Sequence, residues 1–158
     1  MRMDLQFFAQ KAFIYHDRRL LIIEKSHEDR NHGGKWEVPG GRMDFGEEVD
    51  THLKREVLEE VGIEVVPGRP FYIWQWQLAE PRPTGGFDRI QVVAVARLCT
   101  PVGLKTDPSR QVEGDFIGTI RWAPIETLNQ YEWIPNMRPV LTSFFALPEI
   151  RDQYGTYR

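Results

Sequence analysis

A single cysteine, Cys99, occurs in 158 residues. That excludes an internal disulfide framework and a multi-cysteine zinc site, and it suits a reducing compartment. Long apolar runs are missing too: uninterrupted hydrophobic stretches are a few residues, against the about 20 that a bilayer-spanning helix needs. The opening segment, MRMDLQFFAQKAFIYHDRRLLIIEK, mixes charge into every apolar stretch and offers no small-residue cleavage site after an apolar core. A cytoplasmic protein with no membrane attachment is the expectation. Nor is there an excess of positive charge. The 20 Lys and Arg face 23 Asp and Glu, for a net charge of −3, so nothing electrostatic argues for binding long nucleic acid. Repeats, low-complexity blocks and long linkers are absent, as are a P-loop, a dinucleotide fingerprint and an HExxH pattern. What is present is 41% hydrophobic residues, with five Trp. That is enough for a core, and one domain over residues 1–158 is expected.

The pattern of apolar residues predicts strands over 11–16 and 19–25, with a polar turn at Asp17-Arg18. A Gly-containing loop follows over 26–35. Trp36 to Val38 is extended, because Pro39 keeps Val38 out of the helical region. Residues 47–61 read as a helix, entered from Gly46 through acidic residues and stopped at Gly62. Strands are predicted over 63–66, 70–78 and 89–98, a loop over 79–88, and irregular chain over 100–118. A short strand over 119–122, a short helix over 124–130 and a helix over 139–147 complete a mixed sheet covered by helices.

Most of the chemistry lies in the 47–61 helix. Residues 47–60 hold six acids and two bases. Glu56, Glu59 and Glu60 stand at i, i+3 and i+4, so their carboxylates project from about one third of the helix circumference. Such a cluster raises its members' pKa values unless a cation neutralises it, and hard divalent ions prefer oxygen ligands. A solvated acidic face is the commoner fate of a run of Glu. Arg55 is in the less favourable order for pairing with Glu59 and instead reaches back two turns toward Glu47.

The stretch Gly41–Ile63 resembles the Nudix box, G-x5-E-x7-R-E-U-x-E-E-x-G-U with U apolar. Gly41, Glu47, Arg55, Glu56, Val57, Glu59, Glu60, Gly62 and Ile63 meet every specified position. The resemblance implies a Nudix hydrolase with an α/β/α sandwich around a mixed β-sheet. It implies cleavage of a nucleoside diphosphate linked to another group, with Mg²⁺ as cofactor and Mn²⁺ as a substitute. It also makes Glu56, Glu59 and Glu60, with the main-chain carbonyl of Gly40, the metal ligands. Arg55 and Glu47 become the pair that orients the ligand helix, and Glu56 the first choice of general base. A later loop can supply a further ligand or the base; here Glu113 and Asp115 are the candidates, with Glu113 the expected metal ligand. Complete box carboxylates argue against a non-catalytic nucleotide-sensing module and against the mannosyl-transfer branch.

Substrate contacts are less sharply written. Trp74 and Trp76 share a strand face and could stack on a base, although sheet core is the commoner role of such a pair. Tyr131 and Trp133 are further stacking candidates. Asn136, in Pro135–Val140, is similar to the purine-reading Asn of MutT-type enzymes; capping the following helix is at least as good a reading. Lys25 is either a phosphate contact or a solvated strand end. His52, one turn before Glu56, is expected at the surface, and Cys99 is expected to be an inert buried thiol. A modified deoxynucleotide such as 8-oxo-dGTP is the leading substrate, a nucleotide sugar the alternative, and the protein a monomer or homodimer.

Overall fold

The computed structural model describes residues 4–78 and 89–154; the loop expected over 79–88 lies outside them. Seven strands alternate with three α-helices: β1 (Asp4–His16), β2 (Arg19–Lys25), β3 (Trp36–Glu37), β4 (Gly40–Arg42), α1 (Val49–Val61), β5 (Val65–Leu78), β6 (Arg89–Pro101), β7 (Ile117–Pro124), α2 (Arg138–Phe145) and α3 (Pro148–Tyr154). The hairpin between β1 and β2 is a two-residue turn in which Asp17 and Arg18 both take positive φ, the geometry that matches strand twist.

The sheet runs β3-β2-β1-β6-β5, with β4 added to β1 and β7 to β2. β1 lies parallel to β6 from Asp4 beside Arg89 to Ile14 beside Cys99, while β5 and β6 are antiparallel. β1 is shared: its last residues, Tyr15 and His16, pair with β2, and Ala9 to Lys11 pair with β4. The neighbour of β1 on that edge thus changes from β4 to β2 between Lys11 and Tyr15, and the functional residues gather beside that change.

Two cores cover the two faces. On one, Leu53, Val57 and Val61 of α1 pack onto Ala12, Ile14, Leu21, Ile23 and Cys99. On the other, Val140, Leu141 and Phe144 of α2 pack onto Phe13, Leu20, Ile22 and Ala96. This is the expected helix–sheet–helix sandwich. Glu48 caps α1, its carboxylate accepting from the Thr51 amide, and Gly62 ends it at φ 71; the helix thus starts two residues after Glu47. The expected strands 63–66 and 70–78 are one strand, β5, with register shifts around Pro67 and Pro70. α3 was not anticipated. Among the described residues no helix is long and apolar enough to cross a membrane.

Candidate active site

β4 brings Gly40 and Gly41 across from Lys11 and Gln10, under the C-terminal half of α1. Gly40 is required by space against backbone, and Gly41 by the place that Glu56 occupies. A Cβ on Gly40, at φ 141, would stand 2.1 Å from the Gln10 carbonyl oxygen, and one on Gly41 would stand 2.8 Å from the Glu56 carboxylate. The Gly41 cradle is what lets Glu56 lie against the strand.

The predicted clamp is present. Arg55 Nε and Nη2 donate to the two carboxylate oxygens of Glu47, the latter at 2.9 Å. Arg55 Nη1 donates to Glu56 Oε1 at 3.3 Å and to Glu59 Oε2 at 3.2 Å. Hydrogen bonding from Arg55, together with the Asp44 amide, lowers Glu47 from 4.5 to about 2. One guanidinium thus holds three of the box carboxylates.

Glu60 is buried, at 4% exposure. Its burial raises its pKa well above the ordinary range; Lys11 opposes the rise, while Glu37 and Glu56 add to it. Burial raises Glu56 as well, offset by Arg55 and reinforced by Glu59 and Asp115. These are carboxylates whose charge the surrounding cations compensate only in part.

Two residues that the sequence reading passed over complete the cluster. Lys11 and Glu37 are both buried; Lys11 Nζ donates to Glu37 Oε1 at 3.2 Å and to the Gly40 carbonyl at 3.3 Å. Burial alone would lower the Lys11 ammonium, but Glu37, Glu60 and Glu56 together outweigh it and its pKa is raised. The available signal was a charge inside a short buried extended segment, Trp36-Glu37-Val38. Lys25 also belongs here: its Nζ donates to the Asp115 carbonyl at 2.8 Å and lies 3.8 Å from Glu37 Oε1.

The 111–116 loop is tied to the helix by Gln111, whose Nε2 donates to the Glu60 main-chain carbonyl at 2.9 Å. Of its two candidates, Asp115 is half-buried, and its carboxyl is raised by burial and by Glu59 against the pull of Lys25. Glu113 is exposed on the same loop. The structure therefore brings Asp115 to the cluster and leaves Glu113 outside it.

Do these residues fit a divalent cation? The donors are all oxygen, which suits Mg²⁺, and Arg55 and Lys11 offset only part of what raises Glu56 and Glu60. Among the described residues, no three His, Cys, Asp or Glu side chains already converge at ligand spacing. Glu56 and Glu59 lean on Arg55, and Glu37 leans on Lys11. The all-oxygen chemistry of the donor set fits the ion.

The aromatic candidates are half-buried. Tyr72, Trp74 and Trp76 form a row, with ring centroids 5.9 Å and 6.1 Å apart along it. Register places Trp74 beside Ala94 and Ala94 beside Ala9. The row thus shares a sheet face with Lys11, two strand spacings or about 10 Å away. Small Ala9, Ala94 and Ala96 floor the space between. Tyr131 and Trp133 instead line a groove of about 850 Å³ against α2, with Pro135, Arg138 and Phe145. Asn136 is half-buried in the turn before α2; Met137 occupies the capping position and no side chain caps that helix. His52 is not a surface residue: its side chain is fully buried. Cys99 is buried, and that burial pushes its thiol up to about 11.

Comparison with known proteins agrees with this geometry. The family model described as NUDIX domain matches residues 8–144. The human 8-oxo-dGDP phosphatase NUDT18 (Homo sapiens) is 38% identical over 76 residues, which is 44% of this chain and 23% of that protein. The match therefore spans about a quarter of the human protein's length. Among solved structures, the MutT protein from Methanosarcina mazei Go1 superposes with a TM-score of 0.69 at 23% identity, covering 94% of this chain and 96% of that one. The MutT NUDIX hydrolase from Burkholderia pseudomallei superposes with a TM-score of 0.65 at 23% identity, covering 87% and 97%. These likenesses establish the fold, and with the family match over most of its length, the chain belongs to the Nudix hydrolase family.

Proposed function

We propose that the protein is a divalent-metal-dependent pyrophosphohydrolase of a nucleoside di- or triphosphate derivative, and that an oxidised guanine nucleotide is its substrate. The observation that carries the reading is the pair of raised carboxylates, buried Glu60 and half-buried Glu56, whose charge Lys11 and Arg55 only partly offset, beside Glu59, Asp115 and the Gly40 carbonyl. Glu56, Glu59, Glu60 and the Gly40 carbonyl are the groups that would hold Mg²⁺, or Mn²⁺ in its place. When bound, such an ion screens the phosphate oxygens and lowers the pKa of coordinated water.

The chain's own residues do the rest. Glu56 takes the proton of the attacking water as general base. Arg55, held by Glu47, fixes the carboxylates on which the metal depends. Lys25 is placed to meet a phosphate oxygen, because its ammonium already lies at the edge of the cluster. Trp74 offers a face for the base, and Asn136 has an amide not spent on capping α2, which can donate and accept on a purine edge. Water adds to one phosphorus, the anhydride P–O bond breaks, and a nucleoside monophosphate leaves with a phosphorylated remainder. The relative that NUDT18 represents supports the purine choice. We place the protein in the cytoplasm, acting on small nucleotides as a monomer or homodimer.

The test is a panel of oxidised and normal nucleoside di- and triphosphates and nucleotide sugars, assayed with Mg²⁺ and with product analysis in ¹⁸O-water. Preferred turnover of oxidised guanine nucleotides, with the label in one product, is the expected result. Preference for a nucleotide sugar would replace the substrate assignment, and binding without turnover would replace the activity.

A further inference from the structure

Behind Glu56 runs a buried polar chain that the reading above does not use. His52 lies one turn earlier on α1, and its Nδ1 is 2.8 Å from Gln10 Nε2 on β1. The Gln10 amide is oriented by two other groups. Its Nε2 donates to the Val49 carbonyl at 2.7 Å, and its Oε1 accepts from Arg97 Nη1 at 3.2 Å. A carbonyl only accepts and a guanidinium only donates, so the amide cannot be flipped without losing both bonds. Arg97 is itself fixed, donating to Asp50 Oδ1 at 2.6 Å and to the Gly68 carbonyl at 2.9 Å.

This order of donors has one consequence at the ring. The second N–H of the Gln10 amide points at His52 Nδ1, so Nδ1 must be the acceptor and the ring proton sits on Nε2. That Nε2 is buried and has no hydrogen-bond partner among the described residues. The side-chain atom that faces it is Glu56 Oε1, at 4.0 Å. Burial lowers the His52 pKa against the opposing pull of Glu47 and of the Gly41 and Arg42 main chain, which favours a neutral ring with a single proton. Glu56 Oε1 is the oxygen that Arg55 Nη1 contacts too, which leaves Oε2 for a ligand.

We propose that His52 is a positioning residue for Glu56: Gln10 locks its ring as the Nε2–H tautomer, and that buried N–H holds Glu56 Oε1 so that Oε2 faces the reacting water. At 4.0 Å the contact is one small side-chain rotation short of a hydrogen bond. The role rests on Glu56 being the base assigned above; the tautomer does not.

The experiment therefore has two independent parts. In the metal-free protein with ¹⁵N-labelled histidine, long-range ¹H–¹⁵N spectra are expected to show a pyrrole-type Nε2 and a pyridine-type Nδ1 for His52; the opposite pattern overturns the proposal. His52→Asn keeps a partner for Gln10 but offers nothing at the Nε2 position, whereas His52→Gln restores an N–H there. His52→Asn is expected to lower kcat and Mn²⁺ affinity, the latter read by electron paramagnetic resonance, by about 10–100-fold with KM little changed. His52→Gln is expected to recover most of that loss. Circular dichroism checks that both variants fold. Equal kcat and Mn²⁺ affinity in the two variants would overturn the positioning role. Failure of the activity reading itself would show in the wild type, as no metal-dependent turnover of any nucleotide, with the tautomer spectrum intact.

Discussion

Gln10 and Lys11 are consecutive residues on β1, yet the clusters they enter are opposites. Gln10 joins a neutral-to-charged chain, Asp50–Arg97–Gln10–His52, in which partners are assigned up to the last nitrogen. Lys11 joins Glu37, Glu56 and Glu60, where one ammonium faces more negative charge than it balances. The first cluster is complete in the absence of ligand and acts as a clamp. The second is left short of positive charge even with Lys25 and Arg55 at its edge, a shortage that a bound cation would make good. Glu56 sits between them and touches both.

Removing the shared member should have the largest effect. Glu56→Gln keeps the shape of the side chain but takes away the base, and kcat is expected to fall by about 10²–10⁴; an unchanged kcat in steady-state assays would move the base elsewhere, with Asp115 next. On the Lys11 side, Lys11→Met strands Glu37 and Glu60 as buried charges. Metal-free stability measured by urea unfolding is expected to drop by about 3–5 kcal/mol, with much of the loss recovered on adding Mn²⁺. On the Gln10 side, Arg97→Met leaves the Gln10 oxygen unsatisfied and is expected to cost about 1–3 kcal/mol. There Mn²⁺ should restore little, and equal rescue of both variants would erase the contrast.

The smallest effect should come from pH, and it has two signs. Glu47 is depressed from 4.5 to about 2 when folded, so its contribution is present above about 4.5 and is lost as pH falls toward 2. Glu60 is raised when folded, so its contribution is largest at acid pH and is lost as pH rises through its folded value. The thermal stability of the metal-free protein should therefore fall toward neutral pH, and Glu60→Gln should flatten that limb while leaving the acid limb in place.

How much of this was legible in the residues depends on how local the cause is. α1, its stop at Gly62, the Arg55–Glu47 clamp and the β1–β2 hairpin follow from patterns within about a dozen positions, and each is present. The proline-rich 67–70 segment suggested a break between strands; pairing with β6 on both sides of it carries β5 through with register shifts. Lys11 and Glu37 looked like ordinary strand residues because their partnership spans 26 positions. His52 looked like a surface residue for the same reason, since Gln10, 42 positions earlier, is what makes its burial tolerable. α3 carries no apolar stripe to announce it; Ile150 is its buried residue among the described side chains, helped by the ion pair of Glu149 with Arg69.

The parallel pairing of β1 with β6 also sets an order of events. Asp4 lies beside Arg89 and Ile14 beside Cys99, so β1 waits for a partner about 85 positions further along. At about 5–20 residues per second, a ribosome needs roughly 4–17 s to supply it. Through that interval Phe13 and Ile14 have no neighbouring strand on that edge, and Gln10 has no Arg97 to orient it. Closing so long a loop is slow and exposes apolar strand to solvent. The seat of Glu56 is accordingly among the last parts of the molecule to assemble, so a nascent chain carrying the whole of α1 still lacks the hydrogen-bonded backing that the site relies on.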